Sequence, residues 1–543
     1  MTQKITVKSI KSLVLTGLIL LSGCALPSPS IEAAQGSPAT GLTSPTSPSA
    51  LIIDTTQIIP LASPPSQLSS TPDFLSTSPS PPGIPTNEAV FTPTPLPPTS
   101  ARYWLIAVFD YNQHYLSVDE TIHYDNNTTE PLVDLILVVE PNRWAGGFVL
   151  DSLTWESGEA ISNYALSGDQ LHIPLPQPLP SGERIGLLIS YELALPEIPA
   201  PSDTTRPVPY GYSQRQTNVV DWYPYIPPYR AGEGWLVHEP WYFGEHQVYD
   251  MADYQVEITL VESIQDLVIA ASAPAEQTGN SYRYHLASAR SFALSASNQY
   301  QVQSMSVGDV TIYSYVFPYN VAGGQEALQN TADALALYSH LLAPYPHASL
   351  SVVEADFLDG MEYDGLYFLS RGFYDLYDGT PRGYLTLIAA HETAHQWWYG
   401  LVGNDQALEP WLDEAMCTYM ERIFYERVYP DYPPGSGHPL VDWWWSYRVN
   451  FYQPTGWVDG TIYDYSGFRP YRDAVYLNGA KFLEDLRNLI GDDAFFAFLR
   501  DYVTRDAHQL ATAADFFAIL GEHTTADMSE LLTTYFQSAR QGQ

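Results

Sequence analysis

The residues of this chain best suited to chemistry lie between positions 391 and 425. His391 and His395 are four residues apart, so on a helix both imidazoles lie on one face and can bind one metal ion. Glu392 lies between them and is angled toward a water that such a metal would hold. Glu414 follows His395 after eighteen residues, in a second segment of helical character. Two histidines and one carboxylate leave the fourth corner of a tetrahedral zinc site open for water, which predicts a hydrolase.

A bare H-E-x-x-H pattern also occurs by chance, on helices whose two histidines are ordinary surface or core residues. Three features favour a metal site here. Residues 384–390 form an apolar run suited to a buried helix, and Glu414 lies in the segment WLDEA, which is typical of a helix start. Tyr476 follows 62 residues after Glu414, in a Y-x-x-G-A context.

The segments HETAHQWW, WLDEAMCTYMER and YLNGAKFL together resemble the M1 family of zinc metallopeptidases, the gluzincin aminopeptidases. A fourth segment, DGMEY at residues 359–363, resembles the family's G-x-M-E-N exopeptidase motif. The resemblance extends from about residue 102 to the end of the sequence. It implies one zinc ion per chain, peptide substrates and removal of N-terminal residues.

The resemblance also implies a role for each matching residue. His391, His395 and Glu414 would be the zinc ligands. Glu392 would deprotonate the zinc-bound water and then pass the proton to the leaving amine. Tyr476 would donate a hydrogen bond to the oxyanion of the tetrahedral intermediate.

In the exopeptidase motif, the resemblance makes Glu362 the partner of the substrate's α-ammonium, with Gly360 and Met361 as substrate-binding neighbours. The alternative for Glu362 is a solvated loop carboxylate. Two positions depart from the family pattern, because Asp359 stands where the family usually has glycine and Tyr363 where it has asparagine. We therefore expect an amine-binding loop of different shape.

Two further residues follow Glu414 in the same helical segment. Glu421 lies seven residues on and is a candidate for holding a zinc histidine, with a helix-surface charge as an equal alternative. Cys417 is more typical of a small buried residue than of a ligand, since the predicted ligand set is already complete.

Two segments differ from the larger aminopeptidases of the family. Residues 218–245, which are crowded with aromatic side chains, give no match to the segment that supplies a substrate-binding glutamine there. The sequence also ends 67 residues after Tyr476, which predicts that the large helical C-terminal domain is lacking, as in short bacterial members. We expect a more open cleft that admits longer peptides.

The N-terminal residues predict an extracytoplasmic location. Residues 1–23 combine three lysines with an apolar core at 13–21 and no acidic residue, which is typical of a secretory signal. The segment ends in LSGC, which resembles a bacterial lipobox and predicts acylation of Cys24 and attachment to a membrane. The alternatives are an ordinary cleaved signal or an uncleaved anchor. With Cys24 lipidated, Cys417 has no disulfide partner.

Composition and periodicity predict the remaining organisation. Residues 24–101 are rich in proline, serine and threonine, with 17 of the chain's 44 prolines between 25 and 100, and are read as a disordered tether. Residues 102–316 alternate apolar and polar side chains with frequent turn signals, which predicts an all-β saddle or sandwich domain. Residues 317–543 change to helical periodicity after a short sheet, which predicts a thermolysin-like α+β, mostly helical catalytic domain.

The formal net charge of −38 disfavours nucleic-acid binding, because phosphate contacts need cationic patches. The sequence leaves two alternatives to an aminopeptidase. One is a zinc endopeptidase of the same fold, and the other is a surface binding protein with a vestigial site.

Overall fold

The computed structural model describes residues 99–199 and 208–541. The predicted signal at 1–23, the predicted lipidation site Cys24 and nearly all of the predicted tether lie outside these residues. No helix in the two described ranges combines the length and apolar character needed to cross a membrane.

The first part of the described chain consists mainly of strands, as the sequence predicts. These are β1 (Ala101–Asp110), β2 (Tyr115–Asp125), β3 (Leu132–Val138), β4 (Phe148–Trp155), β5 (Ala165–Ser167), β6 (Gln170–Leu179), β7 (Arg184–Ala194), β8 (Gly211–Tyr212), β9 (Thr217–Val219), β10 (Tyr229–Arg230), β11 (Gly234–Trp235), β12 (Ala252–Leu260), β13 (Val268–Ala271), β14 (Glu276–Thr278), β15 (Ser281–Ala289), β16 (Leu294–Ser297), β17 (Gln301–Val307) and β18 (Val310–Val316).

The main sheet of this part has seven strands in the order β14-β15-β12-β1-β2-β7-β4. In β1 the side chains alternate between the core and the outer face, with Tyr103, Leu105, Ala107 and Phe109 buried. That period of two is what a sheet with one covered face requires. Three smaller sheets have the orders β3-β6-β5, β13-β16-β9-β8 and β10-β11.

The second part begins with a β-α-β unit and continues mainly in helices. Its elements are α1 (Val321–Leu341), β19 (Ser349–Ala355), β20 (Gly360–Tyr363), β21 (Leu366–Ser370), α2 (Arg371–Asp375), α3 (Tyr384–Ala394), α4 (Trp411–Val428), α5 (Val441–Trp444), α6 (Phe468–Arg472), α7 (Gly479–Ile490), α8 (Asp492–Arg505), α9 (Ala513–His523), α10 (Ser529–Tyr535) and α11 (Gln537–Gln541). Two π-helical turns, at Trp445–Val449 and Asp473–Asn478, interrupt this series. A β domain followed by a mostly helical region confirms the predicted fold class.

The sheet of the second part shares strands with the predicted first domain. Its order is β17-β18-β19-β21-β20, so β18 pairs with β19 across the domain boundary that the sequence places between residues 316 and 317, and β17 joins this sheet through β18. β18 and β19 are parallel, and α1 is the crossover that parallel pairing needs. The alternation of side chains along a strand predicts that the strand exists, but it does not predict which other strand it pairs with.

The helices that carry the site are buried on nearly all sides. Every residue of α3 from Leu385 to Ala394 is buried, which explains why its sequence is apolar around the whole helix. α4 lies against α3 and also against α7, where a β-carbon added at Gly479 would lie 2.3 Å from Cβ of Ala415. Glycine at this position therefore permits the close approach of α7 to α4.

Candidate active site

α3 and α4 bring the three predicted metal ligands together. Nε2 of His391 lies 3.2 Å from Oε2 of Glu414, and Nε2 of His395 lies 3.7 Å from the same oxygen. One donor atom from each residue lies within 4.8 Å of the other two, and all three residues are buried. His395 immediately follows the last residue of α3 but keeps helical backbone angles, so the four-residue spacing places both imidazoles on one face.

A second carboxylate holds each histidine from behind. Nδ1 of His391 lies 2.9 Å from Oε1 of Glu421, and Nδ1 of His395 lies 2.6 Å from Oδ1 of Asp413. When Nδ1–H donates to these carboxylates, the Nε2 lone pairs are left to face Glu414, as metal binding requires. Asp413 was not predicted from the sequence, although its position directly before Glu414 was an available signal.

Glu421 is itself held by a buried network. Its side chain is fully buried, so the alternative of a helix-surface charge does not hold. Oε2 accepts a hydrogen bond from Nε1 of Trp444 at 2.9 Å. Arg448 donates to both oxygens, from Nε at 3.1 Å and from Nη2 at 3.0 Å. Such a bidentate pair fixes the carboxylate, and through it the ring of His391.

Glu392 points into the same space from α3. It is buried, and its Oε2 has no hydrogen-bond partner among residues 99–199 and 208–541. Burial raises the pKa of Glu392 to about 8. Gly360 faces it so closely that an added β-carbon would lie 1.9 Å from Oε1 of Glu392.

Glu362 lies on β20. It is 7% exposed, and burial raises its pKa well above the usual range for a glutamate. Nε2 of Gln406 lies 3.4 Å from its Oε1. Donor atoms of Glu362, Glu392 and His395 lie within 4.8 Å of one another. Glu362 is therefore part of the site and not a solvated loop carboxylate.

Asp359 and Tyr363, the two positions that depart from the family motif, differ in what the structure shows for them. Asp359 has a φ of 72°, in the left-handed region that favours glycine, the residue usual at this position in the family. The hydroxyl of Tyr363 lies 3.1 Å from Oδ2 of Asp221, a residue from the aromatic segment at 218–245.

Tyr476 lies beside the ligand set, in the π-helical turn Asp473–Asn478. Its hydroxyl donates to Oε1 of Glu414 at 2.5 Å, and its ring is parallel to that of His391 at 6.1 Å. Burial, followed by the charge of Glu414, raises the pKa of Tyr476 well above its usual range, so the hydroxyl keeps its proton. Cys417 is buried, and its Sγ lies 3.9 Å from Oδ1 of Asp413. Asp413 contacts Nδ1 of His395, whereas Glu414 contacts Nε2 of the same ring.

A cavity of about 710 Å³ connects these groups. Its walls include the three predicted ligands with Glu392, Glu362, Met361, Gly360 and Tyr476, and residues 241–245 from the β domain. A peptide in this cavity would have a carboxylate, a hydroxyl donor and the ligand set within reach.

The donor set fits a zinc ion. Two imidazole nitrogens and one carboxylate are ligands that zinc takes in catalytic sites. The carboxylates behind the histidines fix both rings in the orientation needed for metal binding.

Comparisons with known proteins agree with this geometry. Residues 326–535 match the family model described as the peptidase family M1 domain. Aminopeptidase M1-D from Oryza sativa subsp. japonica is 26% identical over 235 residues, which are 42% of this chain and 26% of that protein. Leucine aminopeptidase 2 from Ajellomyces capsulatus is 31% identical over 122 residues, 22% of this chain and 19% of that protein. The aligned region thus spans about a quarter or less of these relatives.

A solved structure extends the likeness to the β domain. The crystal structure of an M1 zinc metallopeptidase from Deinococcus radiodurans superimposes with a TM-score of 0.55 at 18% identity. The match covers 80% of this chain and 93% of that one, so the two proteins share a fold. Residues 326–535, which carry the convergent side chains of His391, His395 and Glu414, thus form a peptidase family M1 domain.

Proposed function

We propose that this chain is a zinc-dependent aminopeptidase that removes single residues from the N-termini of peptides. The observation that carries the proposal is the position of Glu362, whose carboxylate lies within 4.8 Å of donor atoms of Glu392 and His395. An ammonium held by Glu362 would therefore be about one residue away from the groups that attack a peptide bond. The aminopeptidases of rice and Ajellomyces capsulatus, matched over part of their length, support the same activity.

His391, His395 and Glu414 would hold the zinc ion. When bound there, zinc supplies a Lewis acid that polarises the scissile carbonyl and makes water more acidic. The buried carboxylates behind the histidines keep both rings turned toward this position.

Glu392 is the group that would move the proton. Its Oε2 faces the site without a partner in the described part of the chain, so the carboxylate form of Glu392 can accept a proton from the attacking water. The same carboxyl would return that proton to the leaving amine. The tight contact with Gly360 restricts where the carboxylate can lie during both transfers.

Tyr476 would stabilise the negative charge that develops on the carbonyl oxygen. Its protonated hydroxyl already donates to Glu414, and a small rotation of the side chain would redirect it to a substrate oxyanion. Glu362 would hold the substrate's ammonium in a buried, charge-assisted pair, which selects free N-termini.

Zinc content and hydrolysis of aminoacyl reporters by the purified chain, with and without chelator, test this proposal. We expect about one zinc per chain, hydrolysis that chelator abolishes and zinc restores, and loss of hydrolysis in Glu392→Gln. Glu426→Gln, a charge removed from the same helix as Glu414 but outside the site, is the matched control. Absence of zinc-dependent hydrolysis would favour the vestigial binding protein.

An N-acetylated copy of each substrate separates the aminopeptidase from the endopeptidase. Acetylation removes the positive charge that Glu362 would bind, so an aminopeptidase should lose nearly all activity on the blocked peptide. Equal cleavage of free and blocked peptides would instead identify an endopeptidase.

We also propose that the enzyme is attached outside the cytoplasm through acylated Cys24. The support is the sequence of residues 1–24, with its basic start, apolar core and LSGC ending. Labelling of cells with a fatty-acid analogue should mark the parent protein and leave Cys24→Ser unlabelled. Equal labelling of both proteins would refute this location.

A further inference from the structure

Asp359 is a carboxylate in the wall of the 710 Å³ cavity that takes no part in the proposed hydrolysis. Its Oδ1 accepts a hydrogen bond from the backbone N–H of Gly360 at 3.2 Å. Among residues 99–199 and 208–541, this carboxylate has no other hydrogen bond and no ion pair. Its Oδ2 can therefore accept a hydrogen bond from a ligand in the cavity.

Asp359 and Glu362 lie near different members of the ligand set. Donor atoms of Glu362 and His395 lie within 4.8 Å of each other. Burial raises the pKa of the Asp359 carboxyl, and the charges of Arg448 and His391 oppose this rise. His391 precedes His395 by about one turn of α3. Asp359 is therefore nearer to the start of this helix than Glu362 is.

The cavity continues along α3 toward the start of that helix. Tyr384 and Ile388 line it there, and Tyr384 is about 16 Å from His395 along the helix axis, at 1.5 Å per residue. A peptide whose ammonium is held at Glu362 and whose first carbonyl lies at the ligand set would place its second residue in this direction. This part of the cavity is thus the space for the second side chain, with Asp359 in its wall.

Two arginines line the same cavity, and each already donates to a carboxylate that does not line it. Arg448 donates to Glu421 from Nε at 3.1 Å and from Nη2 at 3.0 Å. Arg472 donates to Asp473 from Nε at 3.2 Å and from Nη2 at 2.6 Å. These partners offset the two positive charges, whereas Asp359 has no direct ion pair in the described part of the chain.

Aromatic rings form a further part of the wall beside Asp359. Phe373 and Tyr384 both line the cavity, with ring centroids 5.8 Å apart and planes inclined by 21°. Phe468 also lines it and is 42% exposed. Ring faces attract cations, and the apolar stem of a lysine or arginine side chain can pack against such rings.

We propose, building on the aminopeptidase function, that this part of the cavity favours peptides whose second residue is lysine or arginine, and that Asp359 determines this preference. The cation of that side chain forms a charge-assisted hydrogen bond with Oδ2 of Asp359, while its stem packs against Phe373 and Tyr384. A neutral side chain of the same shape keeps the apolar contacts but lacks the ion pair. An acidic second side chain meets a like charge there.

Tripeptides that differ only in the charge of the second residue test this preference. The full chain, loaded with zinc, is assayed on leucyl-Xaa-alanine peptides in which Xaa is arginine or its neutral analogue citrulline, and lysine or norleucine. Initial release of leucine, followed by liquid chromatography, gives kcat/KM for the first bond alone. We expect the charged member of each pair to be favoured about tenfold, the lower end of what a hydrogen bond to a charged group contributes.

Asp359→Asn keeps the shape of the side chain, and asparagine also tolerates the left-handed φ of 72° at this position. We expect the ratio of charged to neutral peptide to fall to about twofold in this variant. Comparing the two peptides of a pair in one protein cancels any general loss of rate. Asp266→Asn is the matched control, because Asp266 has a similar φ of 59° but is exposed and does not line the cavity. It should keep the parent's ratio.

The outcomes separate this preference from the proposed function. Equal kcat/KM for the charged and neutral peptides in the parent would overturn the preference and leave the aminopeptidase intact, as would faster cleavage with glutamate than with glutamine at the second position. A ratio that is unchanged in Asp359→Asn would overturn the assignment to that residue. Zinc-loaded protein that cleaves none of the peptides would overturn the proposed function itself.

Discussion

Gly360 and Glu392 are in such close contact that a β-carbon on the glycine would lie 1.9 Å from Oε1 of the glutamate. Two non-bonded atoms cannot be that close, so a side chain at position 360 would have to displace the carboxylate of Glu392 or the strand β20. Gly360 does not have a positive φ, and its requirement is for space. The segment 359–363 thus contributes to the position of Glu392 as well as supplying Glu362.

Gly360→Ala should therefore impair catalysis more than folding. A displacement of about 1 Å in a reacting group can reduce rate about a hundredfold. We expect a loss of kcat of that order with zinc content and melting temperature close to those of the parent. Gly521→Ala, in α9 where an added β-carbon meets nothing within 4 Å, should leave kcat unchanged. Full activity in Gly360→Ala would contradict the role of this contact.

The hydrogen bonds from Arg448 to Glu421 and from Glu421 to His391 should raise the affinity of the site for zinc. Glu421→Gln keeps the shape of the side chain but weakens the bonds to both Arg448 and Nδ1 of His391. Loss of a group that orients a zinc histidine costs about ten- to a hundredfold in metal affinity. Competition with a chromophoric chelator should show a zinc dissociation constant raised by that factor, and Glu426→Gln should match the parent. Equal zinc affinity in Glu421→Gln would rule out the orienting role.

We expect Arg290, at the junction between the β domain and the helices, to contribute strongly to the free energy of unfolding. It is 1% exposed and donates to the backbone oxygens of Tyr249, Tyr399, Gly400 and Gln509. Lysine cannot reach all of these acceptors, so Arg290→Lys leaves buried carbonyls without donors, at a cost of about 3 kcal/mol. Urea denaturation of Arg290→Lys and of the parent measures this loss in the free energy of unfolding.

The control for Arg290→Lys is Arg283→Lys. Arg283 pairs with Glu257 on the surface, and its side chain is 67% exposed. We expect its free energy of unfolding to change by about 0.5 kcal/mol or less. Similar effects for the two substitutions would mean that the buried carbonyls do not depend on Arg290.

The part of the site that follows from local spacing could be predicted from the sequence. His391 and His395 share a helix face because of their separation, and Glu421 lies two turns beyond Glu414 on one helix. Asp221 and Arg448 were not predicted, because Asp221 meets Tyr363 across 142 residues and Arg448 meets Glu421 across 27. No periodicity within either segment indicates such partners.

The fold follows the same division. Alternating side chains predicted β strands before residue 317 and helical periodicity predicted α1, α3 and α4, since each pattern reflects the covered face of one element. The pairing of β18 with β19 was not predictable in the same way. It depends on the crossover through α1, which brings together strands that are separated by a whole helix.

Because the carboxyl of Glu120 is buried, we expect it to make the β domain less stable as pH rises. This residue lies on β2, is 2% exposed, and burial raises its pKa well above the usual range. Above the ordinary glutamate pKa, the unfolded chain releases the proton that the folded chain keeps. The contribution of Glu120 to the free energy of unfolding therefore declines by about 1.4 kcal/mol per pH unit from that value up to the folded pKa.

Glu120→Gln removes this titration while keeping the size of the side chain. In urea denaturation at about pH 5 and about pH 8, the variant should lose less stability than the parent over this interval, with the difference largest at the higher pH. Glu276→Gln, an exposed position on β14 of the same sheet, should give a curve parallel to that of the parent. If Glu120→Gln and the parent lose stability equally between the two pH values, the buried carboxyl does not hold its proton in the folded state.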